Sequence, residues 1–239
     1  VGNIFANTTF HFPTCTYTFT GGQDTFEPYF FYTGFRYVKV TGVDSLDGLT
    51  FTACFTSDDV AQTGFFESSN DRLNSIFDMY YQSQRSNMLG NYTDCPQREK
   101  NGWTGDASVT KEAASILFND YTTAEAYMRL MELNVYDDGL PTCILPRVTT
   151  DVGGRNNFDI PWASGTFVFP YYTYLQTGDP YYIERMYDTL VRVLDYYKSI
   201  AASDGVPERV LYGDWLGYDN QEGKLNRSAL GATYAYESG

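Results

Sequence analysis

Positive charge, paired cysteines and long apolar runs are all scarce in this sequence. Only 16 Lys and Arg side chains stand against 30 Asp and Glu, a formal charge of −14, which repels phosphate backbones and anionic lipid surfaces. The four cysteines form no C-x-x-C pair, so they indicate neither a disulfide scaffold nor a zinc site, although they leave room for one or two disulfides. The longest apolar stretches, such as GTFVFPYYTYL, are too short to span a bilayer. We therefore expect no nucleic-acid partner, no membrane insertion, and no metal or other cofactor.

Aromatic residues are abundant instead. The 22 Tyr, 17 Phe and 3 Trp suit neutral, hydroxyl-rich ligands, because an aromatic ring offers a flat apolar face and Tyr or Trp adds a polar edge. With 43% apolar residues in 239, the chain is globular and can bury one large core or two modest ones. The composition therefore favours a sugar as the ligand.

Signs of a secretory route are weak. N-glycosylation sequons occur at Asn7, Asn91 and Asn226, but a chain this rich in Asn, Ser and Thr contains about two by chance. The chain begins at Val1 and has no signal-like segment, which indicates a processed or partial chain. We expect a secreted or extracellular protein.

The hydrophobic period changes near residue 60. Before it, GFRYVKVTG and GLTFTACFTS alternate β-branched or aromatic residues with polar ones, which predicts strands of an antiparallel sheet. After it the period is helical, starting in SSNDRLNSIFDMYYQSQRSNML, where Ser69 or Asn70 can cap the helix. Further helices are predicted at about 106–118, 122–134, 162–177 and 179–202, and in SALGATYAYES. A β-region followed by helices that pair as hairpins, without β–α alternation, argues against a TIM barrel or a Rossmann fold.

The segment NYTDCPQREKNGWTGDASVTKEAASILF, residues 91–118, concentrates charged and aromatic residues in a loop before a helix. Its acidic members in the loop and at the helix start are Asp94, Glu99 and Asp106. Carboxylates crowded into one pocket repel one another, which raises the pKa of the most desolvated one, as a proton donor at neutral pH requires. Arg98 and Lys100 could keep the others ionised, and Trp103 offers a ring for a pyranose. The alternative is that the acids only cap the helix, above all Asp106.

The string TDCPQREKNGWTGDA closely resembles the signature of bacterial-type α-L-rhamnosidases, glycoside hydrolase family 78. The resemblance continues in FFYTGFRYVKVTG, DDGLPTCILPR, YLQTGDPYYIERMYDTLVRVLDYY and YGDWLGY, in the order that the family leads one to expect. It implies a multidomain β + α protein, in which residues 1–62 form the end of an antiparallel β-sandwich. Residues 63–239 would then form the first part of an (α/α)6 six-hairpin barrel.

The resemblance also implies roles for single residues. Glu99 matches the general acid, while Arg98 orients or charges the acidic cluster. Ligands of the rhamnose hydroxyls are implied at Asp94 and Asp106, with Asp214 as a further candidate. Walls of the sugar pocket are implied at Trp103, Trp162 and Trp215. Alternatives stay open: Trp162 and Trp215 could be core residues and Asp214 a cap, while Cys95 is read as an inert packed thiol and His11 as structural.

The implied reaction is an inverting hydrolysis of terminal α-L-rhamnosyl residues in a glycoside or polysaccharide. In such a reaction an acid protonates the leaving oxygen while a second carboxylate, roughly 6.5–9.5 Å away, activates water. The family's base is a Glu far beyond the acid, so it is expected outside this chain, in the remainder of the same polypeptide. Two alternatives stay open: a non-catalytic extracellular structural or carbohydrate-binding protein on the same scaffold, and a different α/α-barrel glycosidase or lyase.

Overall fold

The computed structural model describes residues 14–147, 155, 158–206 and 212. Its helices are α1 (Asp71–Ser86), α2 (Thr104–Leu117), α3 (Tyr121–Asn134), α4 (Ile160–Ala163), α5 (Gly165–Thr177) and α6 (Tyr181–Ser199). Two short strands, β1 (Gly102–Trp103) and β2 (Ile144–Leu145), pair antiparallel, with Gly102 opposite Leu145 and Trp103 opposite Ile144. The helical part predicted after residue 60 is therefore confirmed for the described residues.

Local sequence signals explain where the helices begin and end. Asn70 caps α1, because its side-chain oxygen accepts the N–H of Arg72 at 3.0 Å. Gly178 ends α5 in the left-handed conformation, φ 71°, and its N–H returns to the carbonyl of Tyr174 at 2.7 Å. α6 buries side chains at helical spacing, among them Tyr182, Met186 and Val193. The predicted helix at 162–177 is split into α4 and α5 at Ser164.

Helix α5 lies at the centre of the packing. It contacts α2, α3 and α6, and it buries Phe169 in one core cluster and Phe167 in a second. The first cluster joins α2, α3 and the loop after α1, and the second joins α4, α5 and α6. The end of the loop that precedes α2 contacts this core, because the hydroxyl of buried Tyr127 donates to the carbonyl of Gly102 at 3.2 Å.

The strands predicted before residue 60 do not form in the structure. Across residues 14–57 the chain carries no ladder hydrogen bonds, and many of its aromatic side chains are exposed, among them Phe30, Phe35 and Tyr37. An alternating sequence becomes a strand only when a neighbouring backbone satisfies its N–H and C=O groups. Here the only partners of this kind in the described stretch are local turns and the loop at Pro96.

Three further expectations concern disulfides, membrane-spanning helices and segments near the two ends of the chain. No disulfide joins any two of the four cysteines, all of which lie in the described residues. Among those residues, no helix has both the length and the apolarity needed to cross a bilayer. The predicted helix in SALGATYAYES, the histidine His11 and the sequons at Asn7 and Asn226 lie outside the described residues.

Asn91 is turned into the protein. Its side-chain nitrogen, the atom that would carry an N-linked glycan, donates to the carbonyl of Leu145 at 2.7 Å. A Cβ atom on the neighbouring Gly102 would lie only 2.3 Å from the same nitrogen, so the amide is wedged between two backbone segments. This packing opposes glycosylation at Asn91, because a glycan there would have to break the link between the loop and β2.

Candidate active site

The loop between α1 and β1 is closed by one of its own carboxylates. The N–H of Asp94 donates to the carbonyl of Asn101 at 3.0 Å, and the N–H of Asn101 donates back to Oδ1 of Asp94 at 2.9 Å. The second oxygen, Oδ2, accepts the thiol of Cys95 at 2.9 Å. Asp94 therefore fixes the two ends of the segment that carries Glu99.

Glu99 is held by two donors. The indole N–H of Trp103 donates to Oε2 at 2.8 Å, and the guanidinium of Arg98 pairs with Oε1. The side chain of Glu99 keeps 24% of its surface exposed and that of Arg98 keeps 42%. The carboxyl group is thus oriented by the protein yet remains accessible to a ligand from solvent.

Asp106 lies in the first turn of α2, and the N-cap position of that helix is Trp103. Asp106 is therefore not the N-cap residue of the helix. Burial, followed by the negative charges of Asp94 and Glu99, raises the pKa of Asp106 to about 6. Burial likewise raises the pKa of Asp94, with Glu99 adding to the rise. The charges of Asp94 and Glu99 thus act on Asp106, and that of Glu99 acts on Asp94.

Two of the three Trp residues meet through Tyr212. The ring of Tyr212 lies edge-on to Trp103, with centroids 5.3 Å apart, and its centroid is 5.2 Å from that of Trp162. Buried Asp159 bonds to the backbone of two members of this aromatic group. Its carboxylate accepts the backbone N–H of Tyr212 at 2.8 Å and the backbone N–H of Trp162 at 3.3 Å. Burial, and the negative charge of Asp159 and Glu99 among nearby groups, raise the pKa of Tyr212 to about 12.

Trp162 lies against the start of α2. The hydroxyl of Thr104 donates to the carbonyl of Trp162 at 2.7 Å, and a Cβ atom on Gly105 would lie 2.7 Å from the indole ring. The ring therefore needs a glycine at position 105 to pack on the helix backbone. Trp162 lies inside the four-residue helix α4 rather than in a connecting segment, and Trp103 lies in β1.

A cleft of about 160 Å³ opens between α1 and α2, next to the acidic cluster. Its wall includes Asp94 and Asp106 from the site, Tyr80 and Thr110 from the two helices, and Asn87, the residue after α1. Hydroxyl, amide and carboxylate groups are thus among those that line this concave surface, while Glu99, Trp103 and Trp162 are not among its lining residues.

The expectation for Lys100 is wrong. Its ammonium group does not face the carboxylates; it donates to the carbonyl of Tyr32 at 2.6 Å and lies over the rings of Phe31 and Tyr32, 5.2 and 5.0 Å from their centroids. The backbone at Lys100 has φ +57°, so the chain turns back at this residue. Arg98 is the cation that remains at the cluster. Asp214 and Trp215 lie outside the described residues.

Three residues at the site carry contacts that the sequence did not reveal: Cys95, Asp159 and Tyr212. The signal for the last two was weak, since each lies three residues before a predicted Trp, in DIPWASG and YGDWLGY. Cys95 stands in the signature string itself, but a thiol without a nearby histidine gave no reason to assign it a role in the site.

Comparison with known proteins places both regions of the chain. Residues 61–238 match the bacterial alpha-L-rhamnosidase 6 hairpin glycosidase domain, and residues 2–57 match the bacterial alpha-L-rhamnosidase concanavalin-like domain. An alpha-L-rhamnosidase of Formosa agariphila is 30% identical over 205 residues, which are 81% of this chain and 21% of that protein. One of Streptomyces avermitilis is 30% identical over 215 residues, covering 88% of this chain and 20% of that protein.

Solved structures agree on the fold. The alpha-L-rhamnosidase from Dictyoglumus thermophilum superposes with a TM-score of 0.64 at 27% identity, over 76% of this chain and 23% of that one. The Streptomyces avermitilis enzyme, complexed with L-rhamnose, superposes with a TM-score of 0.70 at 23% identity, over 76% of this chain and 17% of that one. The chain spans about a fifth of the length of the curated relatives it matches, 21% in the first case.

Proposed function

The chain belongs to the bacterial α-L-rhamnosidase six-hairpin glycosidase family, and from that premise we propose that the protein of which it is part removes terminal α-L-rhamnosyl residues from a glycoside or polysaccharide by hydrolysis with inversion. The chain covers about a fifth of its relatives, so the activity is proposed for the intact protein. The relatives named above are α-L-rhamnosidases, and one of them was solved with L-rhamnose bound.

One observation carries the proposal. Glu99, in the position of the general acid, is oriented by the indole of Trp103 and paired with Arg98, beside two further carboxylates within electrostatic reach. A general acid has to be aimed at the leaving oxygen, and a fixed hydrogen bond to one carboxyl oxygen provides that aim. The more exposed contact, Arg98, is the one that an incoming substrate can displace.

Asp94 and Asp106 are proposed to bind the hydroxyls of the sugar. Both line the cleft between α1 and α2, where their oxygens can accept hydrogen bonds from a polyol. The pKa of about 6 at Asp106 means that this group carries a proton for part of the time near neutral pH and can then donate as well. Trp103 and Trp162 are proposed to form the apolar wall, with Trp215 and Asp214 as further members.

Inversion requires a second carboxylate that activates water on the opposite face of the sugar. We propose that this base is supplied by a part of the polypeptide outside the chain. On the same basis, residues 1–62 would belong to the end of a β-sandwich and residues 63–239 to the first part of an (α/α)6 barrel. The strands missing from residues 14–57 would then form once the rest of the sheet is present to pair with them. A crystal structure of the intact protein in which this segment remains unpaired would overturn the domain proposal.

Secretion is likewise a proposal, which rests on the sequons at Asn7 and Asn226. Mass spectrometry of the protein from its native source tests it directly. A glycan on either asparagine supports secretion, and we expect none on Asn91 because its amide is packed against Leu145.

The test of function uses the intact protein and an aryl α-L-rhamnoside. Proton NMR of the first product distinguishes the stereochemical outcomes, because an inverting enzyme releases β-L-rhamnose before mutarotation. Aryl α-L-arabinoside, α-L-fucoside and β-D-glucoside serve as matched substrates. Release of α-L-rhamnose first would contradict inversion, and turnover of another sugar in place of rhamnose would contradict the substrate class. Binding of rhamnose without turnover would favour a non-catalytic protein on the same scaffold.

A further inference from the structure

Cys95 contacts both residues that bear the central carboxylates of the site. Its thiol donates to Oδ2 of Asp94 at 2.9 Å, and its sulfur accepts the backbone N–H of Glu99 at 3.2 Å. The residue is half-buried. No other side chain in the described loop 91–101 bonds to both of these residues.

Both oxygens of the Asp94 carboxylate accept hydrogen bonds. Oδ1 accepts the backbone N–H of Asn101 at 2.9 Å, and Oδ2 accepts the thiol of Cys95. A carboxylate held on both oxygens cannot rotate freely. The contact with the N–H of Glu99 closes the turn between residues 95 and 99, so the backbone of the acid is fixed by the same sulfur.

We propose that Cys95 is a positioning residue of the rhamnosidase site, in which one thiol sets the rotation of the Asp94 carboxylate and the backbone position of Glu99 at the same time. The inference rests on the proposed function, since it assigns Cys95 to the site in which Asp94 binds sugar and Glu99 acts as acid. Cys95 itself touches no reacting atom. Its role requires the protonated thiol, because only the S–H form can donate to a carboxylate.

The charges around Cys95 favour that form. Burial, followed by the hydrogen bond to Asp94, raises the pKa of the Cys95 thiol. A raised pKa keeps the group a thiol at neutral pH, which suits a donor and does not suit a nucleophile. In return, the thiol hydrogen bond lowers the pKa of Asp94, opposing the larger effect of burial. The other titratable groups that interact with Asp94 are Glu99, Asp106 and Tyr32.

The first test needs no substrate. The rate of alkylation of Cys95 by iodoacetamide, followed by mass spectrometry of its peptide, reports the thiol pKa in the intact protein. We expect Asp94→Asn to shift the pH profile of Cys95 to lower pH, because the variant removes the carboxylate that disfavours the thiolate. Glu99→Gln is the matched control and should leave the profile in place, since Glu99 contacts the sulfur only through its backbone. Exposed Cys54 in the same samples reports any general change. An unshifted Cys95 profile in Asp94→Asn would overturn the proposal.

The second test measures catalysis in Cys95→Ala and Cys95→Ser. We expect kcat/KM for an aryl rhamnoside to fall at least about tenfold in Cys95→Ala, in line with the loss of a hydrogen bond to a charged group. The acidic limb of its pH profile should move to higher pH, because Asp94 loses a donor that lowers its pKa. Cys95→Ser retains a donor and an acceptor and should recover most of the rate and the original limb.

The outcomes separate the two proposals. Equal losses in the alanine and serine variants, with the acidic limb unmoved, would mean that Cys95 only fills space and would overturn its positioning role. A wild-type protein that does not cleave rhamnosides would overturn the proposed function instead. In that case the alkylation experiment still decides whether the thiol is bonded to Asp94.

Discussion

The indole N–H of Trp103 donates to Oε2 of Glu99 at 2.8 Å. Trp103 is the last residue of β1, where it pairs with Ile144 of β2, so the orientation of the carboxyl group depends on a strand that lies some forty residues further along the chain. The adjacent backbone is fixed as well, because the N–H of Thr104 donates to the carbonyl of Cys143 at 2.8 Å. The Glu99 side chain is thereby held by a residue whose backbone is bonded to β2. Catalysis by a positioned acid requires such a fixed side chain.

Gly105→Ala should displace Trp162. A Cβ atom at position 105 would lie 2.7 Å from Cδ1 and Cγ of the Trp162 indole and 2.9 Å from its Cδ2. Because the indole ring is rigid, it has to move. We expect a loss of about 1–3 kcal/mol in the free energy of unfolding, typical of an overpacked site, and weaker binding of L-rhamnose. Titration of the tryptophan fluorescence with L-rhamnose measures the second effect.

The control for this prediction is Gly22→Ala, where the nearest atom to an added Cβ is 3.9 Å away. It should leave both stability and binding unchanged. If Gly105→Ala kept the wild-type affinity for L-rhamnose while its stability fell, Trp162 would be a packing residue and not a wall of the sugar site.

Asp106→Asn should stabilise the protein at neutral pH. The pKa of Asp106 rises from 3.8 to about 6 in the folded state, so the folded state binds this proton more tightly than the unfolded state. The stability associated with Asp106 therefore falls as pH rises from about 4 to about 6, and the penalty is fully present at pH 7. The shift corresponds to at most about 3 kcal/mol.

Thermal unfolding of the wild type and of Asp106→Asn between pH 4 and pH 7.5 checks this sign. The gain should be largest at neutral pH and vanish toward pH 4. Asp138→Asn is the opposite case, because the hydrogen bond from Arg155 lowers the pKa of that exposed carboxyl, and it should give no stabilisation at pH 7. A gain for Asp106→Asn that did not change with pH would contradict the assigned cause.

Lys111→Met should destabilise the core strongly. The ammonium of Lys111 lies 2.9 Å from the carboxylate of Asp120, both side chains have no exposed surface, and the hydroxyl of Tyr92 donates to the same carboxylate at 2.6 Å. Removing the cation leaves a buried charge without its counter-ion, which costs about 3–5 kcal/mol. Urea unfolding measures the loss.

Two comparisons make this prediction specific. Lys198 and Asp195 form an exposed ion pair with a similar distance, 3.1 Å between Nζ and Oδ1. Lys198→Met should therefore lower the free energy of unfolding by no more than about 1 kcal/mol. The double variant Lys111→Met/Asp120→Asn should lose less than the sum of the two single losses, because no ion is then left unpaired. A Lys111→Met variant as stable as Lys198→Met would show that the buried pair is not a strong interaction.

The helices were predictable because their apolar residues repeat with a helical period. The predictions at 106–118 and 122–134 correspond to Thr104–Leu117 and Tyr121–Asn134. The absence of strands before residue 60 was not predictable in the same way. Alternation shows which side chains could face a core, but it does not supply the neighbouring backbone that a strand needs. The break at Ser164, between α4 and α5, was not predicted either.

Within the site, the family signature pointed to the three carboxylates and to Trp103. It did not predict which side chains these residues contact. Lys100 and Arg98 look equivalent in QREK, yet only Arg98 pairs with Glu99, because the backbone turn at Lys100 directs its ammonium to Tyr32. Tyr212 joins Trp103 and Trp162 across more than a hundred residues of sequence. Such contacts are consequences of the tertiary fold.

Glu99→Gln tests the role of the acid itself. The amide keeps the shape of the side chain but cannot protonate the leaving oxygen, so kcat/KM for natural rhamnosides should fall by about 10²–10⁴-fold, the usual contribution of general-acid catalysis. The loss should be smaller for an aryl rhamnoside with an acidic phenol, because that leaving group departs with little protonation. Asp94→Asn is the matched control: it should weaken transition-state binding to a similar degree for both substrates. The measurement is the ratio of kcat/KM values for the two substrates in the intact wild type and in each variant. Equal losses on both substrates in Glu99→Gln would mean that Glu99 binds the sugar and that another group is the acid, in which case Asp106, whose pKa of about 6 suits a proton donor, becomes the next residue to replace.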